Sequence, residues 1–213
     1  MKKTFAISLL IAITALVQAQ VQDKKANAIM KEVTDLTRSY KSIQIAFDYL
    51  MENKTAGINE TFSGTLLMQG DRYRVDVGSQ RILSDGQTLW TYNKDAGEVQ
   101  IHDAGDAMDA MVPSKLLTTY SDEFRAKLIR EDKEGGRKIW IIDLNPTSTK
   151  SFHKVRLHID QVRKQVTSLS IHEKNGTTFT YRIKDFKTNL NLDPATFVFN
   201  KKDYPGADII DMR

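Results

Sequence analysis

Four histidines are the side chains best suited to proton transfer or metal binding near neutral pH, and their spacing gives them little to work with. His153 and His158 are five residues apart, so in one extended strand they project to opposite faces. His172 lies across a hairpin that turns near Arg163, and in that register it faces Lys154 more nearly than His158. His102 is remote in sequence. The chain contains no H-E-x-x-H, no G-x-S-x-G and no glycine-rich phosphate loop. Asp103, Asp106 and Asp109 could approach a cation, but their spacing of three suits a solvated helical face. Cysteine is absent, which excludes a disulfide framework, a thiolate nucleophile and the acylated cysteine of an exported bacterial lipoprotein. The expectation is a binding protein, with no catalytic centre, metal or cofactor.

The residues that must carry function are therefore apolar, and the elements that place them are strands. From Phe62 to Tyr92 the sequence reads FSGTLLMQGDRYRVDVGSQRILSDGQTLWTY. Phe62 to Met68 makes one strand, Tyr73 to Val77 a second, and Arg81 to Tyr92 a hairpin. That hairpin turns at Asp85-Gly86, a pair favoured in type I′ turns because both residues tolerate positive φ. Tyr73, Val75 and Val77 share one face while Arg72, Arg74 and Asp76 share the other. Such a sheet is apolar on one side and wet on the other. Its apolar side must meet a core, a membrane or an apolar ligand.

Similar strands are expected at Ile43 to Met51, Glu98 to His102, Ala126 to Glu131, Lys138 to Leu144, Lys154 to Asp160, Val166 to Glu173 and Thr177 to Asp185. A last one lies around Phe197 to Phe199. Turn pairs separate several of them, notably Gly135-Gly136 and Asn175-Gly176. Between Asp23 and Tyr40, Ala26, Ile29, Met30, Val33 and Leu36 form one helical stripe. A second helical stretch, Ala107 to Tyr120, is broken by Pro113. The fold class is mainly β with covering helices: a curved antiparallel sheet of about ten or eleven strands in one domain.

Lys2-Lys3, the apolar run Phe5 to Val17 and the tripeptide Val17-Gln18-Ala19 have the layout of a cleaved secretory signal. The run is too short to span a bilayer, which takes about 20 residues. Residues 1–19 are thus expected to be removed, leaving a single domain over 20–213. The formal charge of +4 then falls to +2, as 31 basic residues become 29 against 27 acidic. With no dense basic stripe, nucleic acid is not an expected partner.

The order S-D-G-x-T-L-W-x-Y (Ser84 to Tyr92), Leu144-Asn145-Pro146, Phe197-Val198-Phe199 and Pro205-Gly206-Ala207-Asp208-Ile209-Ile210-Asp211 resembles the LolA family of periplasmic outer-membrane lipoprotein carriers. The resemblance covers nearly all of the chain beyond the signal. It implies an unclosed half-barrel with a helical lid over an apolar cavity. It also implies a periplasmic monomer that ferries lipoproteins from the inner to the outer membrane by burying their acyl chains. An ATP-driven inner-membrane releasing complex would be the donor and an outer-membrane protein the acceptor. Together with strand alternation, it nominates Leu66, Met68, Tyr73, Val75, Trp90, Tyr92, Leu157, Phe179 and Tyr181 as cavity wall. Met108, Met111, Leu116 and Leu117 are the nominated lid, since methionine re-packs readily around varied apolar surfaces. One departure stands out. Where the family's best-known members close the lid with an arginine preceding a proline, this chain has Met68-Gln69-Gly70-Asp71. A carrier of another lipid or glycolipid, and a regulatory domain that senses lipid or lipoprotein, are the alternative readings; a hydrolase is a more remote one.

Overall fold

The computed structural model describes residues 23–104 and 123–213. Helix α1 (23–39) is followed by a single sheet of twelve strands. They are β1 (Ile43–Asn53), β2 (Ile58–Gln69), β3 (Arg72–Val77), β4 (Gln80–Ser84), β5 (Thr88–Asn93), β6 (Glu98–Asp103), β7 (Phe124–Glu134), β8 (Arg137–Pro146), β9 (Phe152–Asp160), β10 (Val166–Glu173), β11 (Thr178–Thr188) and β12 (Asp208–Asp211). Their spatial order is β12-β6-β5-β4-β3-β2-β1-β11-β10-β9-β8-β7. Two antiparallel meanders, β1 to β6 and β7 to β11, are thus joined at the middle by the pairing of β1 with β11. β12 and β7 stand at the two ends of the order and do not pair, so the curved sheet stays open.

Local chemistry accounts for the turns. Gly135 and Gly136 both adopt positive φ (54° and 79°) between β7 and β8, as a type I′ turn requires. Asp85-Gly86 does not form that turn. Only Gly86 has positive φ (95°), and Asp85 acts instead through its carboxylate, which accepts from the N–H groups of Gln87 and Thr88 at 2.8 Å each. An Asx turn has replaced the primed turn there.

Alternation along the strands produces a concave apolar face. Ile43, Ile45 and Phe47 of β1, Leu66 of β2, Val75 of β3, Leu169 of β10 and Leu157 of β9 all join one buried cluster. Helix α1 lays Ala26, Ile29, Met30 and Val33 into that cluster. Its polar face is tied at the rim by Lys25 to Glu131 of β7 (2.6 Å) and by Glu32 to Lys164 (2.9 Å). Those exposed pairs contribute about 0–1 kcal/mol each, so the buried stripe, not the ion pairs, holds the helix.

The convex face has its own small apolar cluster, which the strand pattern did not lead us to expect. Residues 190–207 cross β3 to β6 as a strap. Phe197 is fully buried there with the Arg72 guanidinium over its ring, Phe199 stacks on Trp90, and Tyr204 meets Tyr92 edge-on at 4.7 Å. The strand expected around Phe197 to Phe199 is therefore absent. Pro194–Phe197 is a 3-10 turn capped by Asp193, because Pro194 lacks an N–H for a ladder and the rings are better buried inward. The strap ends in β12, which pairs parallel with β6 and completes the count at twelve strands.

Gly64 shows how closely the centre is packed. A Cβ at this position would lie 2.5 Å from Phe47 Cζ and 2.8 Å from the Asp76 carbonyl oxygen. The ring of Phe47 fills the place of a side chain opposite it on β2. Gly64→Ala should therefore lower stability by about 1–3 kcal/mol, the cost of overpacking a well-filled core. A urea midpoint unchanged from the parent would show that β1, β2 and β3 do not approach this closely.

Candidate functional site

The described residues leave an apolar void between the end of α1 and the middle of the sheet. Ile43, Ile45 and Phe47 of β1 form its floor, with Leu66 and Met68 of β2 and Val75 of β3 on one side. Val166 and Leu169 of β10 and Tyr181, Ile183 and Phe186 of β11 form the other side. Among the described residues, Thr37 of α1, Gln165 and the Tyr181 phenol are the polar groups on its wall, and none that lines it is charged. Thr37 Oγ1 is occupied in donating to the Val33 carbonyl oxygen at 2.7 Å. The open space measures about 40 Å³, enough for a water or two but not for an extended acyl chain.

Strand register explains why these residues converge. Ile43 stands opposite Met68, Ile45 opposite Leu66 and opposite Phe186, and Phe47 opposite Gly64 and Ile183. A bulge between Ala46 and Phe47 on the β1–β11 side brings Ile183 and Phe186 onto the same face despite their odd spacing. Beyond the void an aromatic group continues along the concave face. Phe47 and Tyr181 pack with centroids 5.5 Å apart, Tyr181 meets Tyr49 at 5.0 Å, and Tyr49 stacks on Phe179 at 5.9 Å.

Four of the nine nominated wall residues line the void: Leu66, Met68, Val75 and Tyr181. Tyr73 stands directly opposite Met68 and next to the lining. Leu157 is fully buried in the cluster that meets α1, and Phe179 lies farther along the face against Tyr49. Trp90 and Tyr92 are corrected. Trp90 pairs with Leu83 and Tyr92 with Arg81, which places both on the convex face beneath the strap, while Leu89 and Thr91 take the concave side. Sequence alternation had put these two rings on one face without showing which. Ile43, Ile45, Phe47, Ile183 and Phe186 were not nominated, although their alternation was readable. The β1–β11 pairing that joins them spans more than a hundred residues and leaves no local signal. Met108, Met111, Leu116 and Leu117 lie outside the described residues.

The groups considered for chemistry are dispersed. His158 Nδ1 is 2.7 Å from Glu134 Oε1, the rings of His153 and His172 are 6.1 Å apart, and His102 is on β6. His172 stands opposite Lys154, as the hairpin register implies, and burial together with Lys154 and Arg156 lowers its pKa. Among the described residues, no group of three or more histidine and carboxylate side chains is arranged to hold a metal ion. Arg72 and Arg74 alternate with Tyr73 and Val75, so they face the convex side. Arg72 bonds Gln69 and covers Phe197, and Arg74 pairs with Asp76 at 2.7 Å.

The concave face instead perturbs tyrosines. Burial pushes the Tyr73 phenol up to about 12. Burial, reinforced by Glu173 and Glu60, does the same for Tyr49. Tyr181 is raised further, by burial and by Tyr49. A site that keeps phenols neutral is one that disfavours charge of any kind. Its physical capacity is to take apolar groups out of water.

A family model described as outer membrane lipoprotein carrier protein LolA matches residues 38–200. An outer-membrane lipoprotein carrier protein of Alkalilimnicola ehrlichii is 25% identical, covering 99% of this chain and 95% of its own length. One from Legionella pneumophila is 23% identical and covers 99% of each. Among solved structures, an uncharacterized conserved protein from Thermus thermophilus superposes with a TM-score of 0.60 at 13% identity, over 88% of this chain and 99% of that one. That last likeness is one of fold.

The tyrosine shifts predict alkaline behaviour. A raised phenol pKa means that the folded state holds its proton more tightly than the unfolded chain, whose tyrosines titrate near 10. This contribution to stability is intact below about pH 10 and is lost as the pH rises towards and through about 12, where Tyr49 and Tyr73 ionise. Absorbance titration should show three of the seven tyrosines resisting ionisation until the protein unfolds, with the urea midpoint falling over that window. If all seven ionised together near pH 10 in folded protein, the concave face would not be dry.

Proposed function

This chain belongs to the LolA family of outer-membrane lipoprotein carriers, and from that premise we propose that it carries lipoproteins across the periplasm by burying their acyl chains between α1 and the concave sheet. The observation that carries the reading is the void itself. It is walled by alternating residues of five strands and a helix, none of which is charged among the described residues. Each methylene taken from water contributes about 0.8 kcal/mol, so a long chain can be held with no polar contact at all. The function is reversible burial, and no covalent step is needed.

In this reading the protein is exported, acts as a monomer, and exchanges cargo with an ATP-driven inner-membrane donor and an outer-membrane acceptor. The lining favours exchange. Met68, Ile183 and Phe186 are only partly buried, so they are the groups free to move as a chain enters. A second reading, a carrier for another lipid or glycolipid, has one observation on its side. Where the family's best-known members place a lid-closing arginine and proline, the turn from β2 to β3 here is Gly70-Asp71, and the nearest arginines point to the convex face. Cargo chemistry is where this chain would then depart from its relatives.

Native mass spectrometry of protein purified from the periplasm should show bound lipoprotein, and lipid without protein would favour the second reading. In vitro, displacement of a fluorescent apolar dye by acyl chains measures the site directly. Met68→Glu should weaken acyl-chain binding at least about ten-fold, because an unpaired carboxylate in an apolar wall costs several kcal/mol. Arg182→Glu, on the exposed convex side, should change it less than about two-fold. Equal effects of the two substitutions would sink the concave site.

A further inference from the structure

Among the described residues, Tyr73 buries a hydroxyl that nothing uses. The residue is 6% exposed, and its enclosed Oη has no hydrogen-bond partner among those residues. Ser84 stands directly across the β3–β4 pair, and its hydroxyl acts against the burial-driven rise in the phenol's pKa. Its Oγ accepts from the Gly86 N–H at 3.2 Å and makes no hydrogen bond to the Tyr73 Oη. A dry, unpaired O–H is unfavourable, and phenylalanine would fill the same space without that cost. A hydroxyl kept under those terms is explained by a hydrogen-bond acceptor on a bound molecule.

Its place in the sheet says what the partner is. One transverse row runs Ile43, Met68, Tyr73, Ser84 and Leu89 across successive strands. Ile43 and Met68 line the void, as does Val75 two residues along β3. The row therefore changes from apolar to hydroxyl-bearing at Tyr73, where the void ends. We propose that Tyr73 Oη, with Ser84 behind it, is the polar end of this site and donates a hydrogen bond to the ester carbonyl of a glycerol-linked acyl chain. The proposal rests on the acyl-carrier reading above.

A free carboxylate does not suit the position. No charged residue among those described lines the void, so an ionised head group would be stripped of water with no counter-charge from them. A neutral carbonyl needs only one neutral donor, and a phenol held protonated by burial is such a donor at every physiological pH. Apolar lining and a single donor at its edge match a molecule that is hydrocarbon up to its first ester.

The test compares a diacylglycerol with the dialkyl ether of the same chain length, each displacing a fluorescent apolar dye from the full-length mature protein. The ether keeps the hydrocarbon and loses the carbonyl acceptor. The parent should bind the ester about five-fold more tightly, the worth of one neutral hydrogen bond. Tyr73→Phe should bind the ester no better than the ether, leave ether affinity unchanged, and melt at the same or a higher temperature. Equal affinities in the parent, or an ester preference that survives in Tyr73→Phe, would overturn the role of the hydroxyl while leaving the carrier intact. Failure of the parent to bind either lipid would overturn both. The parent's ester-to-ether ratio decides the matter even if the variant does not fold.

Discussion

The pairing of β1 with β11 is the constraint from which the rest of this molecule follows. Each meander is built from neighbours in sequence, joined by short turns, and each presents one apolar face. Only the ladder from Ile43–Thr188 to Glu52–Thr178 makes them one sheet, and it does so across more than a hundred residues of chain. Closing such a loop costs entropy before any contact repays it. The repayment is concentrated at the seam, where Phe47 fits over Gly64 and its ring packs on Tyr181. Without the missing side chain at residue 64, Phe47 would be forced off the face and the void would lose its floor.

With the seam fixed, the two faces divide their work. The concave face keeps aliphatic and phenolic side chains and covers part of them with α1. The convex face pairs its charges locally, as in the bidentate contact of Arg156 with Asp143 at 2.7 and 2.9 Å. Over β3 to β6 the convex face is covered by the strap. Asp76 is shared by Arg74 and Arg81, and Arg81 reaches the Tyr204 hydroxyl at 3.3 Å, so the strap is anchored by polar as well as aromatic contacts. β12 then pairs along β6, whose free edge would otherwise invite another chain.

This division shows what was legible in the sequence and what was not. Period-two alternation, the glycine turns and the helical stripe from Ala26 to Val33 are local signals, and the strands, hairpins and covering helix follow from them. Leu66, Val75 and Tyr181 were placed on the concave face by the same alternation. Trp90 and Tyr92 were misplaced because alternation says which residues share a face but not which face is inside. In β5 the inward residues are Leu89 and Thr91, the smaller pair, since the larger rings serve the strap. The strap's strand was misread for a related reason: Phe197 and Phe199 look like ladder residues until Asp193 and Pro194 are seen to start a 3-10 turn. The half of the wall supplied by β1 and β11 depended on the seam, and the bulge at Ala46–Phe47 has no signature in residue type.

The small size of the void bears on how a carrier of this kind can release what it holds. If the site stood open and hydrated, an acyl chain would gain the full transfer energy of about 0.8 kcal/mol per methylene, and a dozen methylenes would make dissociation very slow. Here the void that Met68, Ile183, Phe186 and their neighbours line measures only about 40 Å³. A chain that enters must displace side chains that were in contact with one another, so part of its gain is offset by the contacts it breaks. The net affinity is the difference between two apolar packings, which is far smaller than either measured against water. For the carrier proposed above, such a wall would do two things at once. It would limit the apolar surface left in water, and it would lower the free energy needed to release a bound chain.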